Sequence, residues 1–220
     1  MSKTVKKITD LQNAESFVQA NFLQGYKYID RAGEIVNYFY NNGKPPLFDM
    51  NLGRLVIKAP DQATAEVKVS PSDFWGHYNT PDSLDLIEHS FEKYQKDICA
   101  ILDVDQITRI GWRNYFLFEF ALSEADKREK VLNKFVPNDR FKLSETVFIV
   151  EQDGITQKVK LVRAERKVKD PPPAILFDVD CYRDFPSPIK PAEIGKYLKQ
   201  INKQLHSEDF LSVLNTVLDA

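Results

Sequence analysis

Residues 109–120 read Arg-Ile-Gly-Trp-Arg-Asn-Tyr-Phe-Leu-Phe-Glu-Phe, and no other stretch constrains the fold as strongly. Aromatic and β-branched residues favour the pleated, half-buried environment of a sheet. The run is long enough to cross one completely. Side chains two apart on a strand share a face. Arg109, Gly111, Arg113 and Tyr115 therefore fall on one side, and Ile110, Trp112, Phe116 and Phe118 on the other. A strand this apolar predicts a central position, and its embedded arginines predict charged partners on their face.

The rest of the chain supplies neighbours for such a strand. Asp153-Gly154 between two apolar segments is the strongest hairpin signal present, because a type I′ turn needs positive φ at both central residues. It joins strands expected at 147–150 and 155–162. Residues 65–70 alternate strictly, the pattern of a sheet with one wet face. Further strands are expected at 17–23, 52–59 and 174–182. The clearest helix is expected at 83–102, where Leu84, Ile87, Phe91, Tyr94, Ile98 and Leu102 recur at spacings of three and four. Other helices are expected at 31–40 with Asp30 as cap, at 123–135 with Ser123 as cap, and from Pro191 onward. Residues 72–79 read as a polar-aromatic loop.

These elements predict an α+β fold with a largely antiparallel sheet and helices mainly on one face. Its first half runs β-α-β-β-α-β, the order of ferredoxin-like folds. Residues 1–14 are polar and are expected to form a flexible arm. Residues 15–220 are expected to form a single domain, since no composition shift, repeat or low-complexity tract divides them.

Composition narrows the function classes. A net charge of −2 over 220 residues provides no global field for nucleic acid or acidic membranes. No apolar run approaches the ~20 residues of a membrane span. Cys99 and Cys181 fit no metal or redox spacing and read as buried thiols of a reducing compartment, so a cytoplasmic location is expected. The chain has no P-loop, GxGxxG, GxSxG or HExxH motif.

Three constellations remain. Arg109 and Arg113, with Tyr115, form a candidate anion site, because guanidinium groups offer planar paired donors. Asp178 and Asp180 share a face of a strand and form a candidate metal site of the kind that suits Mg²⁺ or Mn²⁺. Embedded in apolar sequence, the same four residues equally predict a paired-charge network that fixes strand register. Lys158, Lys160, Arg163, Arg166 and Lys167 form a basic run able to follow a nucleic-acid backbone. The structural alternative for that run is a solvated edge strand guarded by lysines. His77, His89 and His206 are scattered and read as a loop residue, a surface residue and a helix-end residue.

Arg109-Ile110-Gly111 with Arg113, Phe177-Asp178-Val179-Asp180 with Tyr182, and Leu205-His206 with Phe210 resemble three motifs of one family. It is a sporadically distributed prokaryotic family of uncharacterised function, whose strands read roughly Arg-Ile-Gly-Leu-Arg-Tyr-Ile-Asn and Leu-Asp-Ile-Asp. Trp112 stands where that family has Leu, and Asn114-Tyr115-Phe116 departs from the Tyr-Ile-Asn ending. The resemblance implies the same fold and an accessory, mobile-element or defence-associated locus. The function expected is that of a non-enzymatic intracellular binding or regulatory protein. It would act through protein–protein contacts or self-association, without a cofactor. The alternatives are a metal-dependent hydrolase or phosphoesterase using Asp178 and Asp180 with the arginines as clamp, and a nucleic-acid binder using the basic run.

Overall fold

A computed structural model describes residues 4–23, 25, 27–42, 47–134, 146–164 and 172–219. Among these, nine strands form one antiparallel sheet. In chain order they are β1 (Gln12–Phe22), β2 (Leu47–Asn51), β3 (Arg54–Lys58), β4 (Glu66–Val69), β5 (Asp73–Asn79), β6 (Ile107–Glu119), β7 (Thr146–Gln152), β8 (Ile155–Arg163) and β9 (Ala174–Ile189). Across the sheet they run β2-β3-β4-β5-β1-β6-β9-β8-β7. The helices are α1 (Tyr28–Asn41), α2 (Leu84–Leu102), α3 (Ala125–Asn133), α4 (Ile194–Leu205) and α5 (Glu208–Leu218). None of them is long and apolar enough to cross a membrane.

The α+β antiparallel class is as expected, but the first half carries two further strands, giving β-α-β-β-β-β-α-β. The ferredoxin-like order holds only once the β2–β3 hairpin is set aside. β1 and β4 then run parallel with β5 between them, and β5 and β6 run parallel with β1 between them. These are two interlocked split βαβ units, with α1 and α2 as the crossovers. The expected polar-aromatic loop is β5. Gly76 sits on its buried face because a Cβ there would lie 2.8 Å from the Tyr78 hydroxyl, and this gap breaks the apolar alternation in the sequence. β2 gave no signal because all five of its residues are exposed.

Burial alternates along the central strands. Val18, Ile110, Trp112, Phe177 and Val179 are buried on one face, under α2 and α4. Phe74 of β5 stacks on Phe91 of α2, with centroids 4.8 Å apart. The Gln157 amide of β8 donates to Gln204 of α4 at 3.0 Å. Helices α2 and α4 are tied together by Asn202, whose amide donates to Asp85 at 2.7 Å and to buried Glu88 at 3.0 Å. Ser83 caps α2, accepting from the Leu86 amide at 3.2 Å. Ser123, by contrast, lies within a 3-10 turn (Leu122–Glu124), and Glu124 is the residue that precedes α3. Likewise Asp30 lies in the first turn of α1 rather than before it.

Residues 5–11 of the expected arm are docked on the fold. Val5, Ile8 and Leu11 are buried. The Val5 amide donates to Asn215 of α5 at 2.8 Å, and the Asn215 side-chain amide returns a bond to the Val5 carbonyl at 2.8 Å. Three apolar side chains at spacings of three among polar residues were enough to seat this segment.

Candidate functional site

The face of the sheet opposite the helices has no covering element among the described residues. Its centre is a half-open hollow of about 310 Å³. Four strands contribute: Phe17 and Gln19 from β1, Trp75 from β5, Arg109, Arg113 and Tyr115 from β6, and Asp180 from β9, with Gly111 as the floor. The hollow exists because Gly111 lacks a side chain. A Cβ there would meet nothing closer than the Tyr182 Cβ at 3.7 Å, an ordinary contact, so a side chain can start here and would extend into the hollow.

The expected Arg/Asp cluster is assembled here. Arg113 lies directly across from Asp180 in register but reaches diagonally to Asp178. Its Nε donates to Oδ1 at 2.7 Å and its Nη2 to Oδ2 at 2.6 Å, a two-pronged pair that matches the planar geometry of both groups. Asp178 is nearly sealed from solvent, with a side-chain exposure of 7%, while Arg113 keeps 46%. The Asp178 hydrogen bond holds the Arg113 guanidinium well above its usual range. Arg109 is less tightly held. Its guanidinium lies over the Tyr182 ring, 4.1 Å from the centroid, and its nearest carboxylate oxygen, on Asp184, is 3.5 Å away.

Asp180 accepts no hydrogen bond among the described residues, and it lines the hollow. Burial pushes its carboxyl above the ordinary range, against the opposing pull of Arg109 and Arg113. Burial likewise raises Tyr115, helped by the neighbouring Asp178 charge.

The aromatic wall was the part that the sequence hid. Phe17 stacks on His77 with centroids 4.3 Å apart and planes 7° from parallel. It meets Trp75 and Tyr115 edge-on, each 6.0 Å away. Once 72–79 is a strand, His77 and Trp75 point to the same side as Phe17, so the signal lay in recognising β5.

The two carboxylates do not suit a dication. Both oxygens of Asp178 are engaged by Arg113, and Lys158 and Lys160 of β8 stand directly across from Asp180 and Asp178. Among the described residues no three His, Cys, Asp or Glu side chains cluster in a way that would hold a metal.

The basic run is divided by the fold. Lys158 and Lys160 lie on the open face beside the two aspartates, and Lys158 also lies 5.0 Å from the centre of the Tyr182 ring. β8 is not the expected edge strand, since β7 and β9 pair with it on both sides. Arg163 ends β8, and Arg166 and Lys167 lie outside the described residues. Two of the three resembled motifs thus meet on the open face. The third does not: His206 lies on the helix side, where its Nδ1 is 2.9 Å from the Asn202 carbonyl at the end of α4. His89 is exposed on α2. Cys99 and Cys181 are free and buried, and burial raises both thiols.

A second surface feature is the edge strand β2. Leu47 is 76% exposed, and Phe48, Met50 and the adjoining Leu52 are exposed with it. One side of β2 pairs with β3, and its other side has no paired strand among the described residues.

No protein-family model and no curated protein sequence matches this chain.

Proposed function

We propose that this is a non-enzymatic binding protein whose working surface is the helix-free face of the sheet. The observation that carries the reading is the hollow itself: a concave, aromatic-walled space with charged groups of both signs. It is kept open by a glycine whose backbone does not require one. A face serving only to fix strand register needs the Arg113–Asp178 pair but not the empty space beside it. Catalysis is the weaker reading, because a hydrolase needs a nucleophile or a metal-held water and the carboxylates here are flanked by cations. A polyanion is also poorly served, since Lys158 and Lys160 face Asp180 and Asp178 across the strand pair. The sporadic spread of the resembled family suggests an accessory locus and assigns no activity.

A plug tests the reading without removing any charge. Gly111→Leu is expected to keep the fold and to abolish whatever binding the native protein shows in capture from a host lysate. Equal capture by both proteins would sink it.

The exposed β2 edge supports a second mode of contact, by strand addition to a protein partner. Phe48→Asp is expected to weaken such a contact and leave ligand binding at the hollow unchanged, as read by paired capture and titration experiments.

A further inference from the structure

We propose that β2 and the outer flank of α1 form a two-fold interface with a second copy of this chain, joining the two sheets edge to edge. This rests on β2 being an edge open to strand addition and names the strand that it receives.

The edge comes first. Residues opposite one another in an antiparallel pair share a face, so Phe48 and Met50, opposite Ile57 and Leu55, lie on the helix-covered side. Ile57 and Leu55 are fully buried there, whereas Phe48 and Met50 are half exposed. Edge strands are commonly guarded by lysine, proline or a bulge. Within its five residues β2 has no lysine or proline, and its ladder to β3 runs without a register shift. Its single charge, Asp49, stands opposite Val56 on the open face.

The helix flank comes second. The Tyr38 hydroxyl donates to Asp97 of α2 at 2.8 Å and Arg31 donates to the Ile101 carbonyl at 2.7 Å, so these residues mark the flank of α1 that meets α2. At ~100° per residue, Ile29, Gly33, Val36 and Tyr40 fall on the opposite flank. Because α2 lies over β5, three strands in from β2, that flank looks toward the β2 edge. There the Tyr28 hydroxyl anchors α1 by donating to the Asn51 carbonyl at 3.0 Å. Ile29 and Tyr40 are 62% and 57% exposed. Between them Gly33 leaves a notch, with nothing within 4 Å of the place a Cβ would take. Glycine weakens a helix interior, and no described neighbour calls for one here. A side chain from an apposed copy does.

A floor from β2 and a wall from α1 make half of a trough. A bound peptide adds a strand but no second wall. A copy related by a two-fold axis adds both, since the same patch serves each side. Ile29, Tyr40, Leu47, Phe48, Met50 and Leu52 are each at least half exposed. At roughly 100 Å² for each such side chain they offer about 600 Å² per copy, and the strand backbone brings this near the ~800 Å² per partner of a stable interface. Register follows from charge. An axis through Asp49 would set two carboxylates opposite each other, which opposes pairing. Placed at Phe48 or Met50, the axis sets an apolar side chain against its own copy between the two α1 flanks. A net charge of −2 gives the copies little mutual repulsion.

The test follows the mass of the full chain by sedimentation from about 1 to 100 μM, a range suited to an interface of this size. A monomer–dimer equilibrium is expected. Phe48→Asp and Ile29→Asp are each expected to weaken it by at least about thirtyfold, the scale of a central interface side chain. Val147→Asp, at an exposed position of the far edge strand β7, is expected to leave it unchanged. Circular dichroism and urea unfolding check that the variants fold. On the unaltered protein, amide exchange at residues 47–51 is expected to slow as concentration rises. Under mild oxidation either Phe48→Cys or Met50→Cys is expected to give a linked dimer, because the axis sets one of these positions against itself. The native Cys99 and Cys181 are buried and do not compete.

A monomer at every concentration, or a dimer indifferent to both Asp variants, would overturn the assignment. So would a polymer that Val147→Asp breaks, which would mean head-to-tail joining of β2 to β7. If the chain stays monomeric while a captured partner is lost with Phe48→Asp, self-pairing falls and strand addition stands. If neither is seen, both fall.

Discussion

Trp112 and Arg113 are neighbours in sequence and face opposite sides of β6. Trp112 is fully buried beneath the helices, and Arg113 keeps nearly half its surface in water although it makes the best ion pair on the open face. The covered face is built from shape, through close-packed apolar side chains with little room to adjust. The open face is built from pairing: Arg113 with Asp178, Phe17 with His77, Arg109 with Tyr182. Pairing leaves room beside it, and the hollow over Gly111 lies on that side. A single sheet can therefore divide labour between its faces, with stability carried by one and recognition by the other.

The sharpest way to break this comparison is to exchange the expected costs. Trp112→Ala is expected to destabilise the protein by about 3–5 kcal/mol in urea unfolding, as large deletions in packed cores do. A cost below that of any open-face change would end the division of labour. Asp178→Ala should cost less, about 1–2 kcal/mol, because half-exposed Arg113 regains water when its partner leaves. A double-mutant cycle with Arg113→Ala isolates the pair, and its coupling should fall as salt rises.

Gly111→Leu should change stability by less than about 1 kcal/mol in the same unfolding assay, while removing binding. The smallest effect sharpens the electrostatic side. The Asp180 carboxyl is pushed up in the folded protein, so its charged form opposes folding at neutral pH. That opposition is relieved as pH falls through the raised value toward the ordinary carboxylate value. Asp180→Asn should therefore gain a few tenths of a kcal/mol at pH 7 and gain nothing below about pH 4, read from unfolding midpoints across pH.

The covered face was the more legible of the two in the sequence. The helical stripe of α2, the Asp153-Gly154 hairpin and the alternation of β4, β6 and β9 all report apolar periodicity, which burial enforces. Asp153 and Gly154 do take positive φ, at 53° and 73°. The open face imposes no such period. Arg109, Arg113, Asp178 and Asp180 could be assigned to a common side, but not which arginine would take which aspartate, since diagonal pairing depends on side-chain reach. Trp75 and His77 were lost to the site with β5, where Gly76 interrupts the buried row. Lys158 and Lys160 suggested an edge because their partners, Asp178 and Asp180, lie on a strand whose place beside β8 no local pattern encodes.

The position of β1 carries a consequence for how the chain comes into being. It precedes the other described strands in the chain, yet its neighbours in the sheet are β5 and β6, and the latter ends near residue 119. At about 5–20 residues per second, a ribosome exposes β1 for several seconds before its second flank exists. During that wait Val18, Ala20 and Phe22 have no core to enter. The nascent sheet is thus most open to chaperones and to misassembly while β1 waits for β6.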